Sequence, residues 1–250
     1  MRIKDLKRAS YEATINMKKN HLTVRNLGAV SVFDKATGLL AIKPAHSYYD
    51  NLKYTDMVIL NLDGRIIEGK NPPGEVKTHL VLYKELKDIA AICHSYSPYA
   101  TAWSQARRSI PVYGTTHATY LPCDVPIANE INVKKLGNTD YETAIGEAII
   151  KLFSDSEIIV NGVGFGIAAL NESTIVKAQS SLKPLEIPMV LTVDNGPFTW
   201  GISAGEAVNN AQVLEEIAHL AYLTEQINSK AVRINDNLHK TLYKKELTNN

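Results

Sequence analysis

Among the side chains able to do chemistry, one short run stands out: Cys93, His94 and, two residues on, Tyr96, inside AICHSYSPYAT at 91–101. A thiol, an imidazole and a phenol can ligate a metal or exchange protons. Cys93 and His94 are neighbours on what reads as a buried strand, so they point to opposite faces and cannot both reach one metal without a bulge. Cys93 and Cys123 are the two cysteines, too few for a disulfide framework and without the paired spacing of a structural zinc site. A second run, Gly162, Gly164 and Gly166, gives G-x-G-x-x-A over Gly164 to Ala169. That is formally a dinucleotide fingerprint, but it lacks the strand–helix–strand unit and the acidic residue at the proper distance, so it does not read as a nucleotide site.

The elements that must position these residues follow from periodicity. Leu6, Ala9, Ala13 and Met17 are spaced for an amphipathic helix over 4–20, followed by a strand within LTVRNLGAVSVFD. GLLAIKP and DMVILNLDGRIIEG read as strands, the latter a hairpin about Asp63-Gly64. THLVLYKELKD is helical, IAAICHSYS a strand, ATAWSQARR helical, and IPVYGTTHA is expected to return to strand. TDYETAIGEAIIKLF is an amphipathic helix and PMVLTVDNGPFTWG a strand ending in a turn. A long helix then opens at Ser203, where Glu206 three residues on completes a capping box. The mixture of hairpins and helices predicts a single α/β domain over 1–250, an α/β/α sandwich around a mainly antiparallel sheet.

Composition narrows the partners. Lys and Arg total 27 against 26 Asp and Glu, and no basic run is suited to a phosphate backbone, so nucleic acid is not expected. The amino terminus is amphipathic and has no apolar stretch long enough for a bilayer, which predicts a cytoplasmic protein without a membrane partner.

IKP at 42–44, KNPPGEVKTHLVLY at 70–83, AICHSYSPYAT at 91–101, IPVYGTTHATY at 110–120, NGPFTWG at 195–201 and AVNNAQVLEEIAHLA at 207–221 occur in the order found in L-ribulose-5-phosphate 4-epimerases. On these motifs the chain resembles the class II aldolase and adducin family over nearly its whole length. The departure in length is an inserted segment at about 155–187, roughly two dozen residues longer than in typical relatives, a size at which loops often carry function.

The resemblance implies a divalent metal, usually zinc, held by a His-x-His pair on a strand and a third histidine before a Gly-Pro-Phe turn. Here the pair reads His94-Ser95-Tyr96, and Asn195 precedes Gly196-Pro197-Phe198. One imidazole of three remains, so no cofactor is expected; zinc or another divalent metal would need substitute ligands from Cys93, Asp194, His79 or His117. The family acid falls on Glu75, the second acid of the epimerases on Thr119, and the partner tyrosine on Tyr243. The phosphate-binding pairs of the family fall on Gly28-Ala29, Ala45-His46 and Pro73-Gly74, with few hydroxyl or amide donors left.

The catalytic expectation therefore rests on Glu75, Tyr96 and Tyr243, and the substrate contacts on Lys43, His46, Gly28, Thr116 and Asn195. Lys43 reads as a surface charge that, with His46, could take a carboxylate. His94 reads either as a residual metal ligand or as a strand histidine bonded to backbone. Three functions stay open. One is a repurposed metal-independent enzyme or binder of a small non-phosphorylated carbonyl or carboxylate compound. The others are a scaffold resembling the adducin head, and a divergent metal-dependent epimerase or aldolase. The resemblance also implies a homotetramer with sites at subunit boundaries.

Overall fold

The computed structural model describes residues 1–154 and 183–249. The fingerprint at Gly164 to Ala169 and nearly all of the inserted segment lie outside the described residues. In chain order the elements are α1 (Ile3–Lys19), β1 (Ala29–Asp34), β2 (Leu39–Ile42), β3 (Val58–Asn61), β4 (Ile66–Glu68), α2 (Val76–Glu85), β5 (Ala91–His94), α3 (Pro98–Gln105), α4 (Thr115–Tyr120), β6 (Ile127–Ala128), α5 (Tyr141–Ser154), β7 (Met189–Thr192), β8 (Phe198–Gly201), α6 (Ala204–Ile227) and α7 (Asp236–Asn249). The eight strands form one sheet in the order β4-β3-β2-β1-β5-β8-β7-β6. Every pairing is antiparallel except β6 with β7, which is parallel.

Strand alternation divides the core between two faces. Ala29 and Phe33 of β1, Ile92 of β5 and Phe198 and Trp200 of β8 pack beneath α2 and α5. Val30, Val32, Ala41, Ala91 and Cys93 face α1 and α6 instead, with Leu6 and Met17. Ser203 caps α6, its hydroxyl accepting from the Glu206 backbone N–H at 3.2 Å. The returning bond from the Glu206 carboxylate falls on the Ile202 N–H, at 2.9 Å, one residue earlier than a capping box would place it.

Two segments depart from expectation. IPVYGTTHA does not form a strand: Ile110 makes an isolated bridge to Val125, and Gly114 then opens α4. The β-branched Thr115 and Thr116 suggest strand, but burial of His117 and Ala118 on one side of a helical turn outweighs that preference. PMVLTVDNGPFTWG holds two strands, β7 and β8, because the turn at Asn195-Gly196-Pro197 reverses the chain between them. Among the described residues no helix is long and apolar enough to cross a membrane.

Candidate functional site

The sheet register sets the centre of the site. His94 ends β5, opposite Ala29 of β1 and Phe198 of β8, so its ring projects to the face covered by α2. There it stacks on Phe198 with ring centroids 4.0 Å apart and an interplanar angle of 4°. Glu75 immediately precedes α2 and reaches down to the same face. Its Oε2 lies 2.8 Å from His94 Nδ1, and their side chains are 11% and 1% exposed. His94 is thus bonded to a carboxylate and not to backbone. Among the described residues its Nε2 is buried without a partner, as is the other carboxylate oxygen, Glu75 Oε1.

Burial alone would raise the Glu75 carboxyl, but His94, by charge and hydrogen bond, together with His79 and Lys43, brings it below its ordinary value. It is therefore an anion at neutral pH. Tyr96 and Asn195 complete this side: the Tyr96 hydroxyl donates to Asn195 Oδ1 at 3.0 Å, and its ring lies 4.7 Å from that of His94. That bond fixes the amide and leaves its N–H donors uncommitted to Tyr96. The turn is tight, since a Cβ on Gly196 would stand 2.2 Å from the Ser95 carbonyl oxygen. Burial, with the charges of Glu75 and Glu142, holds the Tyr96 phenol above its ordinary value, so it remains a donor.

One carboxylate was missed by sequence reasoning. Glu142, in the first turn of α5, is half-buried and accepts the Thr78 hydroxyl of α2 at 3.2 Å. Burial raises its carboxyl, with a further push from Glu75, against the lowering effects of His94 and Thr78. The two carboxyl groups are thus displaced in opposite directions by their surroundings. A glutamate early in an amphipathic helix gave no signal, because its approach to Glu75 comes from the packing of α5 on α2.

Other expected residues are placed differently. Lys43 is not a surface charge: it is 3% exposed, with Nζ donating to the Asn26 carbonyl at 2.9 Å and lying 5.6 Å from the centre of the Tyr49 ring. Burial lowers its ammonium pKa against the pull of Glu75. His46 is exposed in a separate surface groove beside Ser47 and Lys70, so it does not join Lys43 in holding a carboxylate. Gly28 is buried with φ +76°, and a Cβ there would come within 2.7 Å of the His94 carbonyl oxygen; it shapes the strand edge beneath the site. Thr116 is exposed on α4, lining a groove with Tyr113 and Leu220. Tyr243 of α7 lies near Glu186 and Cys123, and not near Glu75 or His94. Thr119 bonds to the Thr115 carbonyl of its own helix.

A zinc centre would need imidazole or thiolate donors that converge. His94 Nε2 is one. Of the substitutes, Cys93 lies on the opposite face against Met17 and Asp194 is exposed and paired with Arg107 at 2.7 Å. His79 Nδ1 is on Ser31 at 2.7 Å, and His117 is buried on α4 beside Cys123. Among the described residues no group of three His, Cys, Asp or Glu side chains is placed to hold a metal ion. The residues present do not fit a three-imidazole zinc centre.

The sheet order and the turn at Gly196 define a mixed α/β fold in which Glu75 and His94 form a buried carboxylate–imidazole pair. The model of the class II aldolase and adducin N-terminal domain matches residues 8–222, and the chain belongs to that family. It is 32% identical to the L-ribulose-5-phosphate 4-epimerase UlaF of Salmonella paratyphi B over 234 residues, 93% of this chain and 91% of that protein. An L-fuculose 1-phosphate aldolase superposes with a TM-score of 0.71 at 21% identity, covering 96% of this chain and 95% of its own. YgbL of Klebsiella pneumoniae, described as a putative aldolase/epimerase/decarboxylase, gives 0.71 at 20% identity, with 97% and 99% covered.

Proposed function

We propose that this chain is an enzyme that moves a proton next to the carbonyl of a small non-phosphorylated substrate, without the three-histidine metal centre of its family. The observation that carries the reading is the 2.8 Å bond between Glu75 Oε2 and His94 Nδ1, with His94 Nε2 buried and without a partner among the described residues. A carboxylate on Nδ1 fixes the ring with its proton there and presents Nε2 as a base. Glu75 is then the partner that stabilises the imidazolium, and His94 is the group that takes the proton. The Asn195 amide, held by Tyr96, is suited to donate to the developing enolate oxygen. Glu142, with its raised carboxyl, is the acid that returns a proton.

The names of the relatives favour a second reading, a metal-dependent sugar-phosphate epimerase or aldolase. Against it stand the donor set around His94, the buried Ala29 where the family has an amide, and Pro73, which offers no N–H. One experiment separates the two. Chelator-treated protein is incubated in D2O with pyruvate, dihydroxyacetone and, in parallel, L-ribulose 5-phosphate, and carbon-bound deuterium is followed by NMR. The expected result is exchange into a non-phosphorylated compound without added metal, lost in Glu75→Gln and in His94→Asn. Turnover of the phosphorylated ketose only after zinc is restored would overturn the proposal.

We further take the assembly to be a homotetramer, since Leu220, Leu223 and Ile227 of α6 are 41%, 39% and 87% exposed. In such an assembly Thr116 and Tyr243, remote from Glu75 within one chain, reach a site only from another copy. Light scattering that shows a monomer would remove both residues from the chemistry.

A further inference from the structure

Among the described residues, two buried polar atoms at the start of α2 have no partner: Glu75 Oε1 and His79 Nε2. Both belong to one stripe. Glu75, His79 and Tyr83 are spaced i, i+4 and i+8, and the His79 backbone N–H bonds to the Glu75 carbonyl at 3.3 Å, so their side chains are neighbours along one helix face. The other end of His79 is fully engaged. Its Nδ1 lies 2.7 Å from the Ser31 hydroxyl on β1, and that hydroxyl lies 2.8 Å from the Tyr83 hydroxyl. Tyr83 is also 3.0 Å from the Ser31 carbonyl.

Two hydrogen arrangements satisfy these contacts. In both, the phenolic hydrogen of Tyr83 goes to the Ser31 carbonyl, which can only accept. The Ser31 hydroxyl hydrogen then goes either to the Tyr83 oxygen, with Nδ1–H of His79 donating to Ser31, or to His79 Nδ1, with the proton of the neutral ring on Nε2. The helix neighbour Glu75 selects the second, because its open carboxylate oxygen needs a donor and a lone pair on Nε2 would offer none. A buried anion with an unfilled oxygen beside a buried N–H with no acceptor is an arrangement that closes on itself, directly or through one water, because either group left alone is costly.

We propose that His79 is a positioning residue: its Nε2–H fills Glu75 Oε1, so that Glu75 Oε2 is held on His94 Nδ1 and His94 Nε2 is kept as the base. The order of donation runs from the Ser31 hydroxyl to His79 to Glu75, and meets there the donation from His94. His79 touches no substrate; it acts through Glu75. Burial lowers the His79 imidazole to about 3, against the raising effect of Glu75, which agrees with a neutral ring that carries one proton.

The inference rests on the reading of Glu75 and His94 as the proton-transfer pair for its consequence, but its test needs no substrate. Protein labelled with 15N-histidine is measured at pH 7 by long-range 1H–15N correlation, with His79 and His94 assigned from single substitutions. The expected pattern is Nε2–H for His79 and Nδ1–H for His94. His79→Phe should convert His94 to a mixture of tautomers, as the carboxylate turns to fill its open oxygen elsewhere, and His79→Gln, which keeps a donor, should restore the Nδ1–H form. Nδ1–H on His79 in the unsubstituted protein would overturn the proposal even if His79→Phe does not fold. So would an unaltered His94 signal in a folded His79→Phe. Correct tautomers with no deuterium exchange on any compound would instead remove the enzymatic reading and leave the positioning role intact.

Discussion

Lowering the pH from 7 to 5 should remove about 4 kcal/mol of stability, through two histidines that the fold holds neutral. Burial lowers His79 to about 3 and His117 to about 4, from an ordinary 6.5. In the unfolded chain both take up a proton as pH falls through 6.5, whereas the folded chain refuses it until well below 5. The unfolded state binds more protons across this window, so stability falls with pH, by at most about 1.4 kcal/mol per unit for each group. Between pH 7 and 5 each histidine accounts for about 2 kcal/mol, a large share of the roughly 5–15 kcal/mol usual for a folded domain. Glu75 does not contribute here: its folded pKa is depressed, so its stabilisation is present above the ordinary 4.5 and is lost only below it. Glu142 has a raised pKa and opposes the trend, taking a proton in the folded state first. The diagnostic quantity is therefore a difference between variants. Urea unfolding followed by circular dichroism at pH 7, 6 and 5 should show the drop shrinking by about 2 kcal/mol in His79→Gln. An equal drop in variant and unsubstituted protein would refute the reasoning, since a His79 already charged against Glu75 would not be lost on acidification.

Three further outcomes follow from the geometry. Gly196→Ala brings a Cβ to 2.2 Å from the Ser95 carbonyl, so the turn carrying Asn195 must move, at a cost of about 3 kcal/mol; urea midpoints measure it, and deuterium exchange should fall with it. Ser203→Ala removes the hydroxyl that accepts from the Glu206 N–H and should cost about 1 kcal/mol in thermal or urea unfolding, with the site untouched. Tyr96→Phe deletes the 3.0 Å bond to Asn195, worth about 1 kcal/mol, and should reduce turnover more than stability because the amide loses its orientation.

Much of the frame was legible in the chain. The spacing of Leu6, Ala13 and Met17, the Asp63-Gly64 turn and the Ser203 cap each act within a few residues, and each element formed where those signals lie. α4 was not legible, because its helical turn is chosen by what His117 and Ala118 pack against. The site divides in the same way. The loss of two imidazoles at Tyr96 and Asn195 could be read directly, as could the opposite facing of Cys93 and His94 on one strand. The binding of Glu75 to His94, the burial of Lys43 and the arrival of Glu142 depend on how α2 and α5 lie over the sheet, which no local pattern encodes. The stripe of Glu75, His79 and Tyr83 was present as a spacing, but its contacts with Ser31 across on β1 come only from the packing of α2 on the sheet.

The hydrogen bond between Tyr96 and Asn195 joins the two positions at which the sequence resemblance implies histidines. In the genetic code a tyrosine codon becomes a histidine codon by a change of its first base, and an asparagine codon does the same. These two side chains already converge, and the carboxylate that orients His94 is already in place behind it. Two single-base changes would therefore place imidazoles on both side chains that converge beside His94.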